Sequence, residues 1–119
     1  MKREQMKNIT IDGVEYTPVI KEKVTFEIAK KDFPKRMKWK DAVKACTDLG
    51  NGWRLPTKDE FWDLIYENKD KIGGFANSNY WSSTEGVNLG AWYQNFNTGN
   101  QFNGSKDTAN YVRAVRDIK

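Results

Sequence analysis

The sequence predicts an α+β fold, with an N-terminal β-hairpin, a helical middle and a C-terminal part of short strands and long ordered loops. Three observations carry that prediction. Residues 9–17 alternate apolar and polar around an Asp-Gly pair, and residues 39–66 repeat their apolar residues at helical spacing. Beyond Gly73 the helical period gives way to bursts of Trp, Tyr and Phe between Gly, Asn, Ser and Thr. A chain of 119 residues fits one domain and is long enough to bury a core.

The elements follow in order. In Asn8-Ile9-Thr10-Ile11-Asp12-Gly13-Val14-Glu15-Tyr16-Thr17 the Asp-Gly pair supplies the positive φ of a tight hairpin turn, and Pro18 stops the second strand. Val24-Thr25-Phe26-Glu27-Ile28 alternates strictly and reads as a half-buried strand. Trp39, Ala42, Val43, Cys46 and Leu49 draw one apolar helical stripe, ended by Gly50 and Gly52. After Pro56 a second helix begins. Thr57 and Glu60 have capping-box spacing, while Phe61, Leu64 and Ile65 supply a buried face flanked by Trp62 and Tyr66.

The expected organisation is a charged segment with its hairpin over residues 1–21 and a second unit over residues 22–119. The formal charge of +4 lies wholly in the first 48 residues, where twelve Lys/Arg face eight Asp/Glu; residues 49–119 hold eight of each. Those cations are interleaved with acids and form no basic run, so the sequence argues for a solvated surface and against a nucleic-acid groove. No apolar run approaches the roughly 20 residues of a membrane span. Nothing at the N-terminus resembles a secretory signal, so cytoplasmic synthesis is expected, with a virion-associated protein reading the same way.

The chemistry available is limited. The chain has no His, and its one cysteine, Cys46, sits on the apolar stripe. Without His there is no Cys–His pair to activate a thiol, and the commonest general base and metal ligand is missing. Asp59, Glu60, Asp63 and Glu67 read as a solvated helical face, and Gly73-Gly74 lacks the Lys-Ser/Thr of a phosphate loop. An enzyme is not expected, nor a cofactor or metal.

Three segments carry a family likeness: Met37-Lys38-Trp39-Lys40-Asp41-Ala42-Val43-Lys44-Ala45-Cys46; Gly52-Trp53-Arg54-Leu55-Pro56-Thr57-Lys58-Asp59-Glu60-Phe61; and the stretch from Tyr80-Trp81-Ser82-Ser83-Thr84-Glu85 through Ala91-Trp92-Tyr93 to Tyr111-Val112-Arg113-Ala114-Val115-Arg116. Together they resemble a prokaryotic and phage branch of the C-type-lectin fold. That branch includes the C-terminal domains of bacterial collagen-like adhesins and the variable proteins of diversity-generating retroelements. It is also related in fold to the formylglycine-generating enzymes, whose cysteines this chain lacks. The resemblance implies two helices flanking a small, mostly antiparallel sheet, with ligands taken on the face of the C-terminal strands and loops. Family members often carry a cysteine where Ala114 stands, so Cys46 has no such partner. The Glu-Pro-Asn and Trp-Asn-Asp motifs of calcium-dependent sugar sites are absent.

Within the likeness, the scaffold residues are separable from the surface. Arg54 is expected to hydrogen-bond within the scaffold, Trp81 and Trp92 to fill the core, and Arg113 and Arg116 to pair with carboxylates such as Glu85. Eight of eleven asparagines fall between positions 77 and 110, and eight aromatics between positions 75 and 111. Rigid aromatic area beside adaptable amides is the mix of antibody paratopes. Asn also tolerates turn geometry, so ordinary loop residues satisfying one another are the plainer reading. The candidate ligand-binding residues are Asn88, Leu89, Tyr93, Asn95, Asn97, Asn100, Phe102, Asn103 and Asn110, with Asn97-Thr98-Gly99-Asn100 as a turn that brings Phe102 back beside Tyr93. The expected function is non-enzymatic binding of a protein partner, with host-cell surface proteins among the candidates, in the manner of a retroelement variable protein. The alternatives are a virion component that assembles through the hairpin, and a lectin that stacks sugars on Tyr93 or Phe102.

Overall fold

The computed structural model describes residues 9–11, 14–16 and 26–118, and its described elements are short strands and short helices in an α+β arrangement. Strands β1 (Ile9–Ile11) and β2 (Val14–Tyr16) pair antiparallel with Ile11 opposite Val14, the register the Asp-Gly pair predicts. Asp12 and Gly13 lie outside the described residues. So do Pro18, Val24 and Thr25; the strand expected over residues 24–28 is described as β3 (Phe26–Ile28).

Helix α1 (Trp39–Asp48) buries Ala42 and Cys46 from the predicted stripe. Leu49 departs from it and is 49% exposed, because the helix ends one residue earlier, with the Leu49 N–H turned back onto the Cys46 carbonyl. Gly50, Asn51 and Gly52 follow, all with positive φ, the conformation in which glycine costs least. This reversal delivers the chain into β4 (Trp53–Arg54).

Thr57 caps α2 (Lys58–Glu60) with the full reciprocal box: its hydroxyl accepts the Glu60 N–H while the Glu60 carboxylate accepts the Thr57 N–H. The same carboxylate takes two hydrogen bonds from Arg54, both at 2.9 Å, and Arg54 also reaches Asp117 at 2.7 Å. Arg54 therefore works inside the scaffold, as expected. These neighbouring carboxylates, against the opposing effect of burial, raise its pKa further above the ordinary guanidinium value. The helix widens at once into a π turn over Phe61–Ile65, with the Tyr66 N–H on the Phe61 carbonyl, before the short α3 (Lys69–Ile72).

Among the described residues there are three antiparallel sheets: β1-β2; β3-β8-β4, with β8 (Val115–Asp117) in the middle; and β5-β6-β7, made of Asn79–Glu85, Gly90–Asn95 and Gln101–Ser105. The connection after β3 is ordered by an irregular ladder: Ala29, Phe33 and Met37 donate their N–H groups to the carbonyls of Ala114, Val112 and Asn110. Backbone groups drawn partly out of water need such partners.

Successive residues of β5 feed two cores. Trp81 belongs with Ala42, Cys46, Leu55, Ala91, Val112 and Ala114, whereas Tyr80 belongs with Phe26, Phe61, Ile65, Phe96 and Val115. In the second core Phe96 stacks on Phe75 at 4.4 Å and meets Phe61 edge-on at 5.7 Å. Arg113, fully buried, donates Nε to Asp32 at 2.8 Å and lies over the Phe75 ring, while the Tyr80 hydroxyl donates to the other Asp32 oxygen at 2.6 Å. The arginine pairings differ from the expectation in their partner. Arg113 takes Asp32, Arg116 takes Glu27 across the β3–β8 pair, and Glu85 is engaged by Lys106 at 2.5 Å. Among the described residues no helix is long and apolar enough to cross a membrane.

Candidate functional site

The surface proposed from sequence lies on β6, β7 and the turns at their ends, and the structure resolves it into two patches. One is the turn between β5 and β6. The Gly90 N–H donates to the Val87 carbonyl at 2.9 Å, and the central residues Asn88 and Leu89 have φ of 53° and 62°. Positive φ at both central residues is the mark of a primed hairpin turn, in which Asn is at home and Leu is rare. Leu89 is nonetheless 87% exposed, and Val87 beside it is exposed too. Asn103 braces this turn by donating Nδ2 to the Val87 carbonyl at 3.2 Å. A Cβ at Gly86 would sit 1.8 Å from the Asn103 side-chain oxygen, so a larger residue there must displace that bracing amide.

The other patch begins at Trp92, two residues along β6 from Gly90, and extends along β7 to Asn100 by the opposite turn. Here Lys58, Asp59 and Trp62, at the start of the second helix, face Trp92, Asn100, Gln101 and Phe102 across an open depression of about 660 Å³. Trp62 is 53% and Phe102 45% exposed. The π turn buries Phe61 and Ile65 while leaving the adjoining Trp62 outward. Lys58 Nζ lies 4.6 Å above the Trp92 ring, and Gln101 Nε2 donates to the Lys58 carbonyl at 2.6 Å, which fixes helix to strand. The depression therefore offers the Trp62 and Trp92 rings edged by a cation, a carboxylate and two amides; Phe102 borders it from β7, its ring packed on Tyr93 on the sheet face opposite Trp92.

The candidate residues distribute unevenly. Asn100 and Phe102 line the depression; Asn88 and Leu89 form the distant turn, with Asn103 behind them; Asn97 is exposed in the β6–β7 turn. Tyr93 stands between Trp81 and Phe102, with ring centroids 6.0 Å and 5.7 Å away, so Phe102 does return beside it. Asn95 is committed within the protein: its Nδ2 donates to Asn79, and its oxygen accepts the N–H groups of Asn97 and Thr98. Asn110 is a correction. It is 4% exposed, its backbone bridged to Met37, and it belongs to the interior rather than to a contact surface.

Sequence reasoning missed Lys58, Trp62, Trp92 and Gln101. Trp92 was expected in the core and is instead half-buried at the depression. Trp62 carried a signal, because an aromatic flanking an apolar helical face is either a border residue or a contact. Cys46 is fully buried and its thiol is pushed up to about 12 by burial, the opposite of what a nucleophile needs. Among the described residues no three His, Cys, Asp or Glu side chains are grouped to hold a metal.

The family model of the Lcl C-terminal domain matches residues 16–116, and the chain belongs to that family, whose fold is related to that of C-type lectins. The membership points to a lectin-like, adhesin-type domain. No curated protein matches the chain.

Proposed function

We propose that the chain is a non-enzymatic, C-type-lectin-like recognition domain that binds a protein partner in the depression between the second helix and β7. The observation that carries this reading is the exposure of Trp62 beside Trp92 in a concave site bordered by Asn100, Gln101 and Phe102. Large exposed aromatics beside adaptable amides are what interface hot spots use. The inert thiol and the absence of His support binding without covalent chemistry. The turn at Asn88-Leu89 is a second contact of the same partner, since an interface of about 800 Å² per side spans both patches.

In the finer form of this reading the domain is a retroelement variable protein, with side chains at Asn88, Leu89, Asn97, Asn100 and Phe102 exchanged between variants while the scaffold persists. The exposed positions of those residues support that form. A reverse transcriptase gene nearby, with an imperfect copy of these codons differing at adenines, is expected; a neighbourhood with neither removes the retroelement part.

Binding itself is tested by capture from host-cell surface fractions, comparing the intact chain with Trp62→Ala/Phe102→Ala after circular dichroism shows both folded. One identified partner held by the intact form and lost by the variant supports the depression. Equal capture refutes it. A glycan is the second reading, favoured by the Trp62 and Trp92 rings and the Asn100 and Gln101 amides. Saturable, calcium-independent quenching of tryptophan fluorescence by a glycan panel, lost in the same variant, would select it.

A further inference from the structure

The sheet β5-β6-β7 has two edges, and the protein treats them differently. The β5 edge is covered: Trp81 donates its N–H to the Tyr111 carbonyl, Tyr111 donates to Asn79, and Ser83 donates to Pro56, at 3.0, 2.9 and 2.7 Å. The β7 edge has no such cover among the described residues. Asn95 donates its N–H to Asn100 at 2.8 Å at the end of the β6–β7 ladder, which sets the alternation of the pairs. Phe102 and Gly104 turn their backbone groups toward β6. Gln101, Asn103 and Ser105 turn theirs outward. Of these outward groups only the Ser105 carbonyl is engaged, by Thr108 at 3.1 Å.

Natural sheets blunt a free edge with Lys, Pro, a bulge or a covering loop, because a row of unpaired N–H and C=O groups is a template for another strand. Gln101-Phe102-Asn103-Gly104-Ser105 carries no charge and no Pro, and its pairing with β6 is regular. Its first two residues also line the aromatic depression. We propose that β7 receives an extended peptide segment of the partner as an added strand, paired to the outward groups of Gln101, Asn103 and Ser105, with an aromatic or apolar side chain of that segment seated in the depression. This rests on the protein-recognition reading and specifies its mode: main-chain bonds give the affinity and the depression gives the selectivity. A second copy of this chain is disfavoured as occupant. Two five-residue strands laid edge to edge bury far less than the ~1,200 Å² of a stable interface.

Display selection of short random peptides against the intact chain tests the proposal. Enriched peptides are expected to carry an aromatic or large apolar residue. They should lose about tenfold or more in affinity when alternate backbone amides are N-methylated. They should lose as much on Gln101→Pro, since the first residue of an edge strand accommodates proline but then offers no outward N–H. Gln101→Ala, which keeps the outward N–H, should lose clearly less than Gln101→Pro, so that the difference between the two reads the backbone N–H apart from the side-chain amide. Amide exchange at Gln101 and Asn103 should slow in the complex. Peptides that tolerate N-methylation and Gln101→Pro yet fail against Trp62→Ala would overturn strand addition and leave recognition at the depression standing. Enrichment of no peptide would overturn strand addition too, while partner capture by the intact chain decides the broader reading separately. A dimer in sedimentation that Gln101→Pro dissolves would give the edge to a second copy and overturn the proposal.

Discussion

The two ends of β6 are made from similar residues and do different work. At one end Asn88 and Leu89 form a tight, left-handed turn whose apolar side chains project into solvent. At the other, Asn95 spends its oxygen on holding the β6–β7 turn and its amide N–H on Asn79 of β5, which leaves Asn100 and Phe102 at the rim of a concave aromatic site. The lesson is that richness in Asn and aromatics marks a region, not a surface. Which asparagine is free is decided by the turn it sits in, because its amide satisfies backbone groups wherever they come within reach.

The sharpest way to break the comparison is to remove what both ends rest on. Trp81 is fully buried, donates its indole N–H to the Met37 carbonyl at 2.8 Å and backs Tyr93. Trp81→Ala should cost about 3–5 kcal/mol in urea unfolding. A loss under ~1 kcal/mol would mean that the aromatic ladder is not anchored by the core. Next, Asn95→Ala should cost about 1–2 kcal/mol while Asn97→Ala stays within ~0.5 kcal/mol. Equal effects would erase the distinction between a structural and a free asparagine.

Leu89→Gly carries a smaller expectation, and of the opposite sign. Glycine takes the positive φ without strain, so the folded state should gain up to about 1 kcal/mol. Partner affinity should fall as the apolar side chain goes. Stability that falls instead would show that Leu89 packs against something in the folded chain.

The smallest effect is set by pH. Burial holds the Cys46 thiol protonated, at about 12 against a reference of 9.0, so the unfolded chain releases this proton first. Its contribution is complete below pH 9 and is lost as pH rises from about 9 toward 12. The Tyr80 hydroxyl, raised mainly by burial and also by its bond to Asp32, acts in the same direction above its ordinary value of 10.0. Unfolding free energy followed across this range should fall less steeply in Cys46→Ala. Parallel curves would mean that the thiol is not held neutral by the fold.

Local rules made the middle of the chain legible. Thr57 and Glu60 form the capping box at the spacing that predicts it, Ala42 and Cys46 lie on the buried stripe, and β1 and β2 pair about the Asp-Gly pair. Arg54 lies in the scaffold for the same reason, six residues from its main carboxylate. What escaped sequence reasoning depends on distant partners or on a change of helical pitch. Asp32 and Arg113 meet across 81 positions, so no local pattern names Asp32 in place of Glu85. The π turn shifts the period under Phe61–Ile65, and spacing alone did not show that Trp62 would line a site. Asn110 and Asn100 are alike in sequence context, and only the ladder to Met37 draws one of them inside.

The most direct measurement is a hydrogen-exchange footprint of the intact chain with its captured partner. Protection over residues 58–62 and 100–103, with lesser protection at residues 87–89, is the predicted result. Protection at residues 9–16, with the depression unchanged, would contradict the account and move recognition to the N-terminal hairpin.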